Sequence, residues 1–308
     1  MGAPPLNDEN NLRPLMFSIA YRMTGSVAEA EDLVQEAFFR MGRAQESGVT
    51  VESPKAYLTT TVTRLAINHL RSARVRRESY VGTWLPEPVV TDLHENPEQM
   101  VELSDSLSMA FLLLLESLSP VERAVFLLRE VFEYPYEDIA QVVDKNEANC
   151  RQIFARARQR IGAQQARYEA SPAQSEALVR SFLAASRDGD LDQLVGLLAA
   201  DAAFYSDGGG KATSTPRPIF GGDHVATLIL GIFERAKRMG ITIEPALVNG
   251  GPGVITHDAQ GKVVSVLSLE VLDGVVQSIR GIVNPDKLQH LGVVSDLLRI
   301  HHGQDDHL

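Results

Sequence analysis

The chain has 308 residues, 44% hydrophobic and 22% charged, with one cysteine and a formal net charge of −11. That is apolar material for two or three soluble domains, and a single cysteine excludes an internal disulfide framework. No apolar run reaches the ~18–20 residues of a membrane span, and the opening MGAPPLNDENN lacks the regions of a signal peptide, so a cytoplasmic protein is expected.

Leu12 to Met23 reads as a helix with Leu15, Met16, Ile19, Ala20 and Met23 on one face. Thr24-Gly25-Ser26 breaks it, and Ser26 with Glu29 forms a capping-box pattern for a second helix. That helix buries Val27, Ala30, Val34, Ala37, Phe38 and Met41 and turns an acidic face outward: Glu29, Glu31, Asp32 and Glu36. A third helix starts at Ser53-Pro54, with proline in the first helical position, and becomes basic towards its end.

The stretch SYVGTWLPEP follows, with the only tryptophan, Trp84, and two prolines that fix φ. An acidic run leads to further helices from about Pro97, with Ser119-Pro120 capping one of them. Residues 136–160 read as two helices around a turn near Asp144-Lys145-Asn146. Beyond Ser171-Pro172 come two amphipathic helices, SEALVRSFLAASRDG and DLDQLVGLLAAD. The short strand AAFYSD, a glycine-rich loop, a helix near 222–239 and four β-branched strands complete the pattern. Asp273-Gly274 predicts a tight hairpin turn, and the tail after Asn284 a short helix.

The acidic balance argues against nucleic acid only until its distribution is read. Residues 56–77 hold five arginines and no acid, and 145–167 are basic with one acid, Glu147. Within 136–160 the first helix packs through the small Ala140. The second buries Ala148, Ile153, Phe154 and Ala157 and exposes Asn149, Arg151, Gln152, Arg156 and Arg158. Asn, Gln and Arg make paired hydrogen bonds with base edges, so this is a helix-turn-helix pattern. The third helix offers Tyr57, Arg64, Asn68, Arg71 and Arg74 among threonines, a mixture suited to unstacked bases. A plain basic helix face is the structural alternative for each segment alone.

The motifs AEDLVQEAFFR, PKAYLTTTVTRLAINHLR and LSPVERAVFLLREVFEYPYEDIAQVV resemble the extracytoplasmic-function (ECF) bacterial sigma factors, over about Leu12 to Arg167. The resemblance implies a core-polymerase-docking motif at Asp32, Leu33, Val34 and Gln35, facing the β′ clamp coiled coil. It implies a −10 reader in the third helix, with Tyr57 where many relatives carry Trp. It also implies region 4, reading the −35 element and meeting the β flap, at the helix-turn-helix. The implied organisation is region 2 at 8–78, a linker at 79–105, region 4 at 106–168, a SnoaL-like domain at 172–290 and a tail at 291–308.

The C-terminal part resembles SnoaL-like domains, α+β cone-shaped barrels with a central pocket. The expected fold class is thus multi-domain, two all-α sigma domains followed by an α+β cone. YVGTWLPEP, DGGGK (Asp207, Gly208, Gly209, Gly210, Lys211) and NPDKL (Asn284, Pro285, Asp286, Lys287, Leu288) resemble one ECF subgroup, in which the fused domain replaces a separate anti-sigma protein. Trp84, Leu85 and Pro86 would then dock on the C-terminal domain, with DGGGK and NPDKL at the docking surface. DGGGK lacks the GxxxxGK spacing of a phosphate loop.

An enzyme would need an acid or base in an apolar pocket, and the candidates are Asp207, His224, His257 and Asp258. No paired constellation is visible, so loop solvation of the aspartates and edge positions for the histidines are favoured. No catalytic residue, cofactor or metal is expected. His301, His302 and His307 read as a solvated tail and Cys150 as a packing residue. The expected function is a transcription initiation factor that binds core RNA polymerase and promoter DNA. It is a monomer when free, with no membrane contact and room for a small ligand in its C-terminal pocket. That domain either masks the DNA-binding faces, the preferred reading, or assists them. The alternative is a DNA-binding protein fused to a SnoaL-like pocket enzyme.

Overall fold

The computed structural model describes residues 7–78, 80–91, 107–162 and 172–298. The chain divides into two compact units: Met1–Ser79 with Phe111–Gln165, and Tyr80–Ala110 with Ala166–Leu308. His301, His302, His307 and the acidic run 92–106 lie outside the described residues, as does the side chain of Arg74.

The first unit is all-helical. Helices α1 (Asn7–Thr24), α2 (Val27–Glu46) and α3 (Pro54–Glu78) pack on one another through Met16, Ile19, Met23, Val34, Met41, Leu58, Val62 and Leu70. Each fully buried aliphatic side chain of this kind contributes roughly 1.5–3 kcal/mol. Helix α1 begins earlier than Leu12 and carries Pro14 inside, because NDENN offers no apolar periodicity to mark the extra turn. Ser26 Oγ accepts from the Glu29 N–H at 3.2 Å, while the Glu29 carboxylate pairs with His69 of α3.

Among the described residues four shorter helices follow: α4 (Met109–Leu115), which enters this unit at Phe111, α5 (Pro120–Glu130), α6 (Tyr136–Val143) and α7 (Glu147–Gly162). Helix α5 opens with a reciprocal Ser119–Glu122 capping box. Helix α6 ends at Asp144, whose φ of 55° turns the chain into α7. Cys150, Ile153, Ala157 and Ile161 form the buried stripe of α7, and Ala148, expected inside, is exposed. Asn146 caps the helix through the Asn149 N–H at 2.8 Å, which leaves Ala148 in the exposed first turn, while Ile153 and Ala157 are buried as the sequence reading placed them. Helix α3 packs against α5 and α6, so both helix sets belong to one body.

In the second unit, helices α8 (Pro172–Asp188), α9 (Leu191–Gly196) and α10 (Gly222–Arg238) pack against a seven-stranded sheet. Its strands are β1 (Val90–Thr91), β2 (Leu198–Asp207), β3 (Ile219–Phe220), β4 (Thr242–Val248), β5 (Gly251–His257), β6 (Val263–Leu272) and β7 (Val275–Ile282). The order is β1-β4-β5-β6-β7-β2-β3, antiparallel except for the parallel β2–β7 pair. Phe182, Phe204, Ile229, Phe233, Leu269 and Ile279 fill the helix–sheet interior. This is the α+β arrangement expected of the C-terminal part.

The second amphipathic helix is shorter than expected, since Leu198-Ala199-Ala200-Asp201 opens β2. Pairing of Leu198 with Val276 overrides the helix preference of the alanines. The tail forms two 3₁₀ turns, Pro285–Lys287 and Gln289–Leu291, in place of a short α-helix. Asp273 and Gly274 have φ of 51° and 78°, the hairpin turn that the Asp-Gly pair predicts. Strand β1 is made by the linker, which carries no period-2 signal there.

Candidate nucleic-acid interface

Helix α2 turns Asp32 and Gln35 outward, with Leu33 half-buried and Val34 buried. The inward residue holds the helix in place while its exposed neighbours present charge and amide to a partner. Phe39 lies 59% exposed on the same helix, under the Arg43 guanidinium.

A cavity of about 660 Å³ opens between the 49–53 loop and the start of α3. Tyr57, Thr60, Thr61, Arg40 and Arg64 line it. Its ring, hydroxyls and guanidinium groups are what an unstacked base needs for stacking, hydrogen bonding and charge neutralisation. Further along α3, Asn68 and Arg71 are exposed.

Arg64 is already engaged. Its Nε donates to the Val142 carbonyl at 2.9 Å and its Nη2 to the Gln141 carbonyl at 2.7 Å. These are terminal carbonyls of α6, where a cation is favoured by the unsatisfied acceptors and the helix dipole. Beside it, Thr59 and the Tyr134 hydroxyl are 2.9 Å apart, and Lys55 lies over the Tyr134 ring. Arg123, only 3% exposed, donates to the Met23 carbonyl at 2.5 Å and pairs with Glu116 at 2.8 Å. The −10 candidate helix and the first helix of the helix-turn-helix therefore share polar contacts, which no local sequence pattern signals.

On α7, Arg151, Gln152, Arg156 and Arg158 are exposed and Asn149 is half-buried. Arg151 pairs with Glu147 at 2.6 Å and lies over the Tyr136 ring. Arg158 is 3.9 Å from Glu130. Exposed pairs of this kind are weak and open readily for a phosphate. Cys150 is buried beneath the helix, and burial pushes its thiol above the usual value, which suits a packing residue.

The linker site lies within the second unit. Asp207, fully buried at the end of β2, accepts from the Tyr80 hydroxyl at 2.5 Å and from the Leu85 N–H at 2.8 Å. Lys287 donates to the same carboxylate at 2.7 Å and to the Leu85 carbonyl. Its ammonium lies 4.4 Å from the Trp84 ring centre and 5.0 Å from that of Tyr80, a cation–π arrangement. Asn284 donates to the Tyr80 hydroxyl at 2.8 Å. Leu85, Pro86, Pro285 and Leu288 are buried, and Lys211 pairs with Asp286 at 2.5 Å.

The glycines serve close approach. Gly209 and Gly210 have φ of 58° and 70°; a methyl group on the first would overlap the Asn284 carboxamide, and one on the second would press on Val81. On Gly208 it would strike the Ala212 carbonyl.

The sequence reading missed Asn249, fully buried in the β4–β5 turn and bonded to Val89 and Leu107. Its Asn-Gly pair signals a turn; nothing local signals that the side chain is used.

The four acid–base candidates do not converge. Asp207 holds the linker. Asp258 is buried too, accepting from the Gln260 and Lys262 N–H groups in the β5–β6 turn, so neither aspartate is a solvated loop residue as expected. The Ser295 hydroxyl, ahead of those backbone groups, holds its carboxyl below the usual range. His224 is exposed and bonds the Phe220 carbonyl, and His257 faces Glu244 at 3.8 Å. Among the described residues no group of three or more His, Cys, Asp or Glu is placed to hold a metal ion.

Residues 10–76 match the Sigma-70 region 2 family and residues 108–161 the Sigma-70 region 4 family. The chain is 40% identical over 286 residues to the ECF RNA polymerase sigma factor SigJ of Mycobacterium tuberculosis H37Rv, covering 90% of each protein. It belongs to the ECF sigma factors. A probable ECF sigma factor SigI of M. tuberculosis is 32% identical, over 91% of this chain and 93% of that protein. The crystal structure of M. tuberculosis SigJ aligns with a TM-score of 0.74 at 35% identity, covering 92% of this chain and 98% of that one. This sigma factor is thus a transcription initiation factor and not an enzyme, with helical regions 2 and 4 followed by an α+β domain.

Proposed function

We propose that this sigma factor meets the β′ clamp coiled coil through Asp32, Leu33, Val34 and Gln35 and the β flap through region 4. Tyr57, Arg64, Asn68, Arg71 and Arg74 take the melted −10 element. Asn149, Arg151, Gln152, Arg156 and Arg158 read the −35 element. The cavity beside Tyr57 supports the first DNA assignment, and the exposed amide and guanidinium groups of α7 support the second. A factor with these partners works in the cytoplasm and, in this reading, as a monomer until it meets polymerase. No described helix is long and apolar enough to cross a membrane.

The C-terminal domain modulates initiation by holding the linker between regions 2 and 4. The observation that carries this is the buried Asp207 carboxylate, whose partners Tyr80 and Leu85 come from the linker. Inhibition is favoured over assistance because Arg64, needed for the −10 element, is engaged by α6 carbonyls as the free protein stands.

The test is promoter-dependent transcription with purified core polymerase, comparing the full chain with a truncation after Arg167. Higher activity from the truncation is expected. Equal activity would remove the modulating role, and no transcript from either chain on a verified promoter would remove the assignment of the DNA-reading residues.

A further inference from the structure

Asn249 and Gly250 are the central residues of the turn joining β4 to β5, with φ of 54° and 73°. Asn suits such a turn for backbone reasons, and an exposed side chain would do. Asn249 is instead fully buried, with its carboxamide used at both ends. Its Oδ1 accepts from the Val89 N–H at 3.1 Å, and its Nδ2 donates to the Leu107 carbonyl at 3.0 Å. Its own N–H donates to the Val89 carbonyl at 2.8 Å, and the next linker residues pair with β4, Val90 opposite Val248 and Thr91 opposite Leu247. Val89 and Leu107 flank the stretch 90–106 of the connection between region 2 and region 4.

We propose that Asn249 is a positioning residue for promoter recognition: by gripping both ends of 90–106 it removes that stretch from the tether and limits how far apart the two DNA-reading helices are held. From Glu78 at the end of α3 to Met109 at the start of α4, an extended chain spans roughly 105 Å. With Val89 and Leu107 on one carboxamide the longest path falls to roughly 55 Å. Closing the clasp thus roughly halves the reach between the end of α3 and the start of α4. Asn249 therefore biases the factor towards closely spaced readers, and its release lengthens their reach. The inference builds on the proposed modulation by the C-terminal domain and assigns it a residue outside the three motifs read from sequence.

Two variants separate the bonds. Asn249→Gly keeps the positive φ and loses the side-chain bonds to Val89 and Leu107. Asn249→Asp tolerates the same φ and keeps an acceptor for Val89, but cannot donate to Leu107. Each is tested as full-length protein in reconstituted holoenzyme, on promoters whose −35 to −10 spacer is varied in single-base-pair steps. The expected result is a broader spacer tolerance for both, with several-fold more transcript on the longer spacers and Asn249→Asp behaving like Asn249→Gly. A wild-type spacer profile in Asn249→Asp, or an equal loss at every spacer, overturns the proposal. The truncation after Arg167 runs alongside. If it alters transcription while the Asn249 variants keep the wild-type profile, the clasp is wrong and modulation stands; if it too is unaltered, both fall.

Discussion

Lys287 and Asp207 form an ion pair at 2.7 Å whose side chains are 9% and 0% exposed, and the linker completes its coordination. Leu85 gives the aspartate an N–H and the lysine a carbonyl, while Trp84 and Tyr80 cover the ammonium. A buried pair of this kind is costly to break from one side, because the remaining charge is stranded. Asp207→Asn should destabilise the C-terminal domain by about 3–5 kcal/mol. Adding Lys287→Met should recover part of that loss. Trp84 is the only tryptophan, so its emission reports the linker directly. A red shift is expected in Asp207→Asn; an unchanged spectrum with unchanged thermal stability would contradict the role given to the pair.

Linker docking should weaken in alkali. Burial, followed by the hydrogen bond to Asp207, raises the Tyr80 phenol above its ordinary value. The docked state therefore holds its proton while an undocked Tyr80 ionises near pH ~10. The contribution is fully present below that pH and is lost as the pH rises above it. Trp84 emission followed upward from about pH 8 should show this transition. Tyr80→Phe should remove the pH dependence, and a Tyr80→Phe curve that overlays wild type would show the phenol to be uninvolved.

Two glycines with positive φ make a controlled comparison. Gly48, at 86°, has open space around it, and Gly48→Ala should cost only the backbone strain of about 1 kcal/mol. Gly209→Ala adds overlap with Asn284 and crowds Tyr80, so a further ~1–3 kcal/mol is expected, with faster proteolysis of the linker. Equal melting temperatures for the two variants would mean that the DGGGK turn yields at no cost.

The α3–α6 contact predicts opposite outcomes for two neighbours. Tyr134→Phe removes the bond to Thr59, about 0.5–1.5 kcal/mol, without touching the DNA-reading set. It should raise the affinity of the free protein for a single-stranded −10 oligonucleotide. Arg64→Ala frees the α6 carbonyls but also removes a proposed DNA contact, and should lower that affinity. The same direction of change in both variants would separate the packing contact from DNA binding.

Exposed Asp32 offers the simplest test of polymerase docking. Asp32→Lys should reduce core binding at least tenfold and leave thermal stability within about 0.5 kcal/mol, as surface substitutions do. Unaltered core affinity would place the docking face elsewhere on region 2.

Much of the fold was legible because it is written in local periodicity. The inward stripe of α2, the Ser119 cap and the Asp273-Gly274 turn each follow from residues within one or two turns of chain. What escaped is non-local. Leu198 joins a strand because Val276 lies beside it, and the linker becomes β1 because Val248 offers an edge. Asn249 looks like any Asn-Gly turn until Val89 and Leu107 meet its carboxamide. The residue types of the proposed DNA-reading set come from the sequence, whereas the engagement of Arg64 by helix α6 depends on a fold that brings positions 64 and 142 together.

Each compact unit is assembled from two separated pieces of chain, and this orders events on the ribosome. Tyr80 is made about 200 residues before Lys287, which at 5–20 residues per second is roughly 10–40 s of synthesis. For the latter part of that interval regions 2 and 4 are both made while Lys287, which closes the linker site, does not yet exist. On the proposed inhibition, a newborn chain passes through a period of unrestrained competence, and restraint arrives last, after the final strand of the sheet.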